Sequence, residues 1–135
     1  MSRHSALLAA ALAVLLTGCA ATAPTCPSGQ QPRVNELLYF GTAKPGGVVS
    51  QQEWSGFLAD VVTPRFPRGL SVWPAAGQWL SNDGALVRES SYVLNIVHAD
   101  EAAAETALQT IAAEYRSRFQ QEAVMRLRSQ VCVSF

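Results

Sequence analysis

Few residues in this chain have side chains suited to covalent or acid–base chemistry. It holds two histidines, His4 and His98, and three cysteines, Cys19, Cys26 and Cys132. His4 precedes an apolar leader-like run, so a Ser-His-Asp or Cys-His mechanism would have to use His98. Ser90, Ser91 and Asp100 are close to it in sequence, but Asp100 reads as the cap of a following helix. His98 therefore reads as a strand-end residue and not as a catalytic base. His98, Asp100 and Glu101 crowd one short turn and match no metal-site template. The cysteines lack the close spacing of a zinc site, and no glycine-rich phosphate loop or dinucleotide fingerprint is present. No catalytic residue, metal ligand or cofactor is assigned from the sequence. Arg65 and Arg68 flank Pro67 and suit either a carboxylate or phosphate clamp or the capping of helix carbonyls.

Cys19 has the clearest chemistry. A short basic start at Arg3 and His4 is followed by an unbroken apolar run from Ala6 to Leu16. This run is shorter than the roughly 20 residues needed to span a bilayer, and it fits the apolar core of a secretory signal. It ends in Leu16-Thr17-Gly18-Cys19, which resembles the bacterial lipobox. The expectation is a signal peptide over 1–18, cleaved before a diacylated Cys19. Each buried acyl methylene contributes about 0.8 kcal/mol to anchoring. Ala20, in place of Asp, favours retention at the outer membrane, facing the periplasm. In that oxidising compartment Cys26 and Cys132 either pair in a disulfide or remain free thiols.

The charge balance narrows the partners. Ten Lys+Arg offset ten Asp+Glu, so no cation excess exists to displace counterions from a nucleic acid, and none is expected as partner. Hydrophobic residues make up 49% and charged residues 15%, a globular composition. Residues 19–34, with Pro24, Pro27 and Pro32, read as a lipidated flexible tether. The expected domain occupies 35–135.

The elements that must position any site follow from periodicity. Glu36–Phe40 reads as a buried strand. Ser50-Gln51-Gln52-Glu53 is a capping box, and Trp54, Phe57, Leu58 and Val61 continue it at helical spacing. Pro64 and Pro67 stop that helix. Leu70–Trp73 and Gln78–Leu80 form a second strand, and Pro74 and Gly77 between them argue for an edge position or a bulge. Asn82-Asp83-Gly84 is a hairpin turn leading to a return strand over Ala85–Val97. A second helix follows Asp100, burying Ala104, Ala107, Leu108, Ile111, Tyr115 and Phe119, with Glu114 and Arg118 paired outside. A last strand runs from about Ala123 to Val133. This order, β-α-β-β-α-β, is the ferredoxin-like pattern, α+β with two helices on one face of a four-stranded antiparallel sheet.

Strand alternation then assigns the faces. If Tyr92, Leu94, Ile96, Met125 and Leu127 face the helices, then Glu89, Val93, Asn95, Val97, Val124, Arg126 and Arg128 share the open face. That mixed face is either a solvated surface or a partner-binding one, and Glu89, Val93, Asn95, Arg126 and Arg128 are its candidate contact residues. Trp54 reads as core, and Trp73 and Trp79 read as core with one of them at the surface.

Leu38-Tyr39-Phe40-Gly41, Val62-Thr63-Pro64-Arg65-Phe66-Pro67, Gly77-Gln78-Trp79, Arg88-Glu89 and the ending Cys132-Val133-Ser134-Phe135 resemble a family of exported bacterial proteins, domain-of-unknown-function family 3574. The resemblance covers about 35–135 and implies no activity. Two functional readings follow. One is a non-enzymatic envelope lipoprotein whose open sheet face binds an envelope protein or a second copy of the chain. The alternative is a small dimeric α+β-barrel-like enzyme with a pocket between sheet faces.

Overall fold

Alternation along Gln31–Gly41 builds the first strand. In the computed structural model, which describes residues 25–135, Val34, Glu36, Leu38 and Phe40 of this strand, β1, are buried and the residues between them are half-exposed. The expected signal peptide, Cys19, Ala20 and the start of the expected tether lie outside the described residues. β1 opens at Gln31, so residues 31–34 belong to the sheet and not to the tether. The reason is Val34, which pairs with His98 and Gln130 and is buried.

A two-residue pairing, β2 (Ala43–Lys44) with β3 (Gly47–Val48), follows as a small hairpin. Pro45 and Gly46 supply its turn. Gly46, at φ 81°, occupies the left-handed region that other residues avoid. Helix α1 (Gln51–Phe57) starts at the capping box: Ser50 Oγ accepts the Glu53 amide at 3.2 Å, and a Glu53 carboxylate oxygen accepts the Ser50 amide at 2.8 Å. It widens into a π turn over Leu58–Val62, closed by the Thr63 amide donating to the Leu58 carbonyl at 2.8 Å. The wider turn brings both Val61 and Val62 into the core and leaves Leu58 only partly buried.

β4 (Ser71–Leu80) and β5 (Leu86–His98) form a hairpin, α2 spans Ala102–Phe119, and β6 (Met125–Val133) closes the sheet. The strand order is β4-β5-β1-β6, antiparallel throughout. β4 is an edge strand with unbroken register through Pro74 and Gly77, so no bulge is needed. The helices cover one face. There Phe40, Trp54, Phe57 and Tyr115 interlock, with Trp54 stacked on Tyr92 at 4.5 Å and Phe40 edge-on to Tyr115 at 4.6 Å. The Tyr115 hydroxyl donates to the Gly41 carbonyl at 2.8 Å; burial drives its pKa upward.

Cys26 and Cys132 are joined by a disulfide, which ties the segment before β1 to the end of β6. No helix among the described residues is long and apolar enough to cross a membrane.

Candidate functional site

Cross-strand register decides which side chains share a face, because directly paired residues point the same way. Leu38 pairs with both Leu94 and Arg126, and Glu36 pairs with both Ile96 and Arg128. Arg126 and Arg128 therefore lie on the helix face, and Met125 and Leu127 on the open one. This reverses the sequence-based assignment of β6. Val124 also packs against the core, not on the open face. The physical reason is Glu36. It sits at a core position of β1 with 0% exposure, and a carboxylate there requires cations on the neighbouring strand.

Arg126 meets that requirement. Its Nε and one terminal nitrogen donate to the two Glu36 oxygens, each at 2.8 Å, and its two terminal nitrogens donate to Glu105 at 2.8 and 2.5 Å. These hydrogen bonds raise the Arg126 pKa, and the Arg126 contact lowers that of Glu105 to about 2. Arg128 donates to Asp100 at 2.5 Å. Asp100 is therefore a salt-bridge partner. Glu101 occupies the N-cap of α2, with no side-chain cap bond. His98 Nδ1 lies 2.6 Å from the Ala99 carbonyl, and its Nε2 is buried 3.8 Å from Glu36 with no hydrogen-bond partner. This cluster lies beside the core and has its charges paired internally, which gives it the character of a structural network. Among the described residues, no three His, Cys, Asp or Glu are placed to hold a metal ion. Arg65 donates to the Val61 carbonyl at 2.7 Å, the capping alternative of the two weighed for it. No ion pair between Glu114 and Arg118 occurs among the described residues.

The open face carries Glu89, Val93, Asn95 and Val97, as the alternation of β5 requires, together with Tyr39, Trp73, Trp79, Met125 and Leu127. Both Trp73 and Trp79 belong here and neither is core. Val93 is only 1% exposed, and the register places it between the larger residues Trp73 and Tyr39. Asn95 donates to Asn35 Oδ1 at 2.5 Å and to the Glu36 carbonyl at 3.1 Å.

At one end of this face lies a hollow of about 260 Å³, walled by Tyr39, Trp79, Ser91 and Met125 and floored by Gly41 and Gly77. Glu89 lies in it. One carboxylate oxygen accepts the Trp79 indole N–H at 2.7 Å, and the other accepts the Ala43 amide at 2.7 Å. The hollow gathers three of the motifs singled out in the sequence: Leu38–Gly41, Gly77–Trp79 and Arg88-Glu89. Those segments carried only the family resemblance; the strand register, which brings them together, was not readable from them.

These features define a ferredoxin-like α+β domain with a helix-covered face and an open one. Residues 35–135 match the family model described as protein of unknown function (DUF3574), and the chain belongs to that family. Among curated proteins none matches the sequence. Of solved structures, a phage SAM lyase in complex with S-methyl-5'-thioadenosine is similar with a TM-score of 0.58 at 15% identity, over 85% of this chain and 97% of that one. The same lyase in its apo state gives 0.56 at 15% identity, over 84% and 97%. CutA from Synechococcus elongatus gives 0.51 at 13% identity, over 78% and 83%. At these identities the likeness is one of fold.

Proposed function

We propose that this chain is an envelope lipoprotein, anchored through Cys19 to the outer membrane and facing the periplasm, whose domain is a non-enzymatic interaction module. Its working surface is the open sheet face, and the cover we favour is a second copy of the chain. The observation that carries this reading is a group of exposed large apolar side chains on the open face: Trp73 42%, Val97 41%, Met125 54% and Leu127 48%. With Arg126 and Arg128 on the other side, little charge remains there to solvate it. Covering such surface gains roughly 25 cal/mol for each Å² removed from water. Four strands about 4.8 Å apart and about 30 Å long present roughly 600 Å² in projection. That is close to the ~800 Å² of accessible surface each partner buries in a standard interface. A two-fold axis makes one such patch serve both copies.

The test is the mass of the exported protein in solution, by light scattering in mild detergent. The wild type is expected to be a dimer, and Leu127→Asp with Val97→Asp a monomer with unchanged circular dichroism. A strictly monomeric wild type rejects the reading. The anchor is tested separately: Cys19→Ser should abolish labelling by palmitate and release the domain from membranes.

A further inference from the structure

We propose that the hollow around Glu89 binds a small organic ammonium compound, a cationic amine carried on an apolar body. The inference rests on the reading of the open face as the working surface and adds a ligand class to it.

Among the described residues, Glu89 is the only charged side chain lining the hollow. Its two oxygens are held by two neutral N–H donors, from Trp79 and Ala43. These fix the carboxylate without neutralising it, and no Lys, Arg or His among the described residues forms an ion pair with it. An ionised carboxylate offers about four lone-pair sites, so two acceptor positions remain for a donor that enters the hollow. A cation there would form the charge-assisted bond that the protein itself leaves unmade. An anion would meet the carboxylate directly.

The walls suit the rest of such a ligand. Tyr39 and Trp79 line it with aromatic rings, a residue type that attracts cations, and Met125 adds a polarizable apolar side chain. The hydrogen bond to Glu89 ties the indole ring of Trp79 in place, so the site is pre-organised. About 260 Å³ is just below the range for drug-sized ligands and admits a single-ring amine.

Two glycines shape the hollow. A Cβ at Gly41 would stand 2.5 Å from a Glu89 oxygen, so only glycine lets the carboxylate lie on the sheet floor. A Cβ at Gly77 meets nothing within 4 Å, so open space lies above this position. Gly77→Val thus takes up part of the hollow, on an extended strand that admits a β-branched residue.

The experiment titrates the exported protein with three probes of one shape: phenethylammonium, 2-phenylethanol and 3-phenylpropionate. Calorimetry and tryptophan fluorescence are the readouts, Trp79 being a wall of the site. The cation is expected to bind at least tenfold tighter than the alcohol, and the carboxylate not at all. Glu89→Gln should erase the difference between cation and alcohol, and Gly77→Val should abolish binding of both while circular dichroism stays unchanged. Equal affinity for cation and alcohol in the wild type, or no binding of phenethylammonium at millimolar concentration, overturns the proposal. So does undiminished binding by a folded Gly77→Val protein. If the ligand fails while Leu127→Asp with Val97→Asp still dissociates the dimer, self-association stands and the ammonium site falls.

Discussion

Glu36 has no exposed surface, and what that position costs or contributes depends on its partners. Removing one member of a buried ion pair leaves an uncompensated charge, at a cost of about 3–5 kcal/mol. Arg126→Met is therefore expected to destabilise the domain by about that much in urea unfolding, whereas Glu36→Leu with Arg126→Met should recover most of the loss. A double variant as unstable as the single one would refute this account of the pair. Glu105 gives the same network a pH dependence. Its pKa falls to about 2 in the folded state, first through the hydrogen bond from Arg126 and then through Gln109, against 4.5 for the free side chain. The folded state therefore holds this proton less tightly than the unfolded state. The contribution is complete above about pH 4.5 and is lost as pH falls toward 2. Unfolding midpoints measured across pH 5 to 2 should decline, and Glu105→Gln should flatten the decline. Glu53, held at about 2 chiefly by Lys44, leaves a residual slope in the same window.

At the scale of elements, strands and helices were legible where one physical rule governed them, and misread where two rules competed. Ser50 and Glu53 announce the start of α1 because a cap is a local device that depends on four consecutive residues. Ser50→Ala should cost about 1 kcal/mol, read as a lower thermal midpoint with little change in the rest of the fold. The alternation of Tyr92, Leu94 and Ile96 identified the buried face of β5 correctly, since apolar residues and core coincide there. In β6 they do not coincide. Met125 and Leu127 look like core, and Arg126 and Arg128 look solvated, yet the sheet turns the arginines inward toward Glu36. The signal that resolves this was present in β1. Glu36 alternates with Leu38 and Phe40, so the buried face already contained a carboxylate, and only a strand with arginines two apart could neutralise it. Asp100 was misread for a related reason. Alone it suits a helix cap, but Arg128, 28 residues away, competes for it. The hollow around Glu89 depends on four strands meeting in register, and no local pattern specifies that.

Across the whole molecule, the Cys26–Cys132 disulfide closes a separation of 106 residues. It acts on the two parts of the sheet with the least other support. β6 is an edge strand bonded only to β1, and β1 begins only a few residues after Cys26. Pro32, which lacks an amide donor, faces Cys132 across the register, so the ladder is weakened where the crosslink acts. In the chain-entropy account a loop of this length limits the unfolded ensemble by about 4–5 kcal/mol. Denatured-state structure reduces that figure, so a loss of several kcal/mol is expected for Cys26→Ser with Cys132→Ser. Phe40 lies toward the far end of β1 from Pro32 and the crosslink, so the aromatic core around Phe40, Trp54 and Tyr115 should persist. Reductant is therefore expected to lower the thermal midpoint of the wild type and to have no effect on the double variant, with near-ultraviolet dichroism retained in both below the transition. Hydrogen exchange should locate the change, with β6 and the first residues of β1 losing protection while β5 and α2 keep theirs. An unchanged midpoint on full reduction would mean that packing of β6 against β1 holds the terminus without the crosslink.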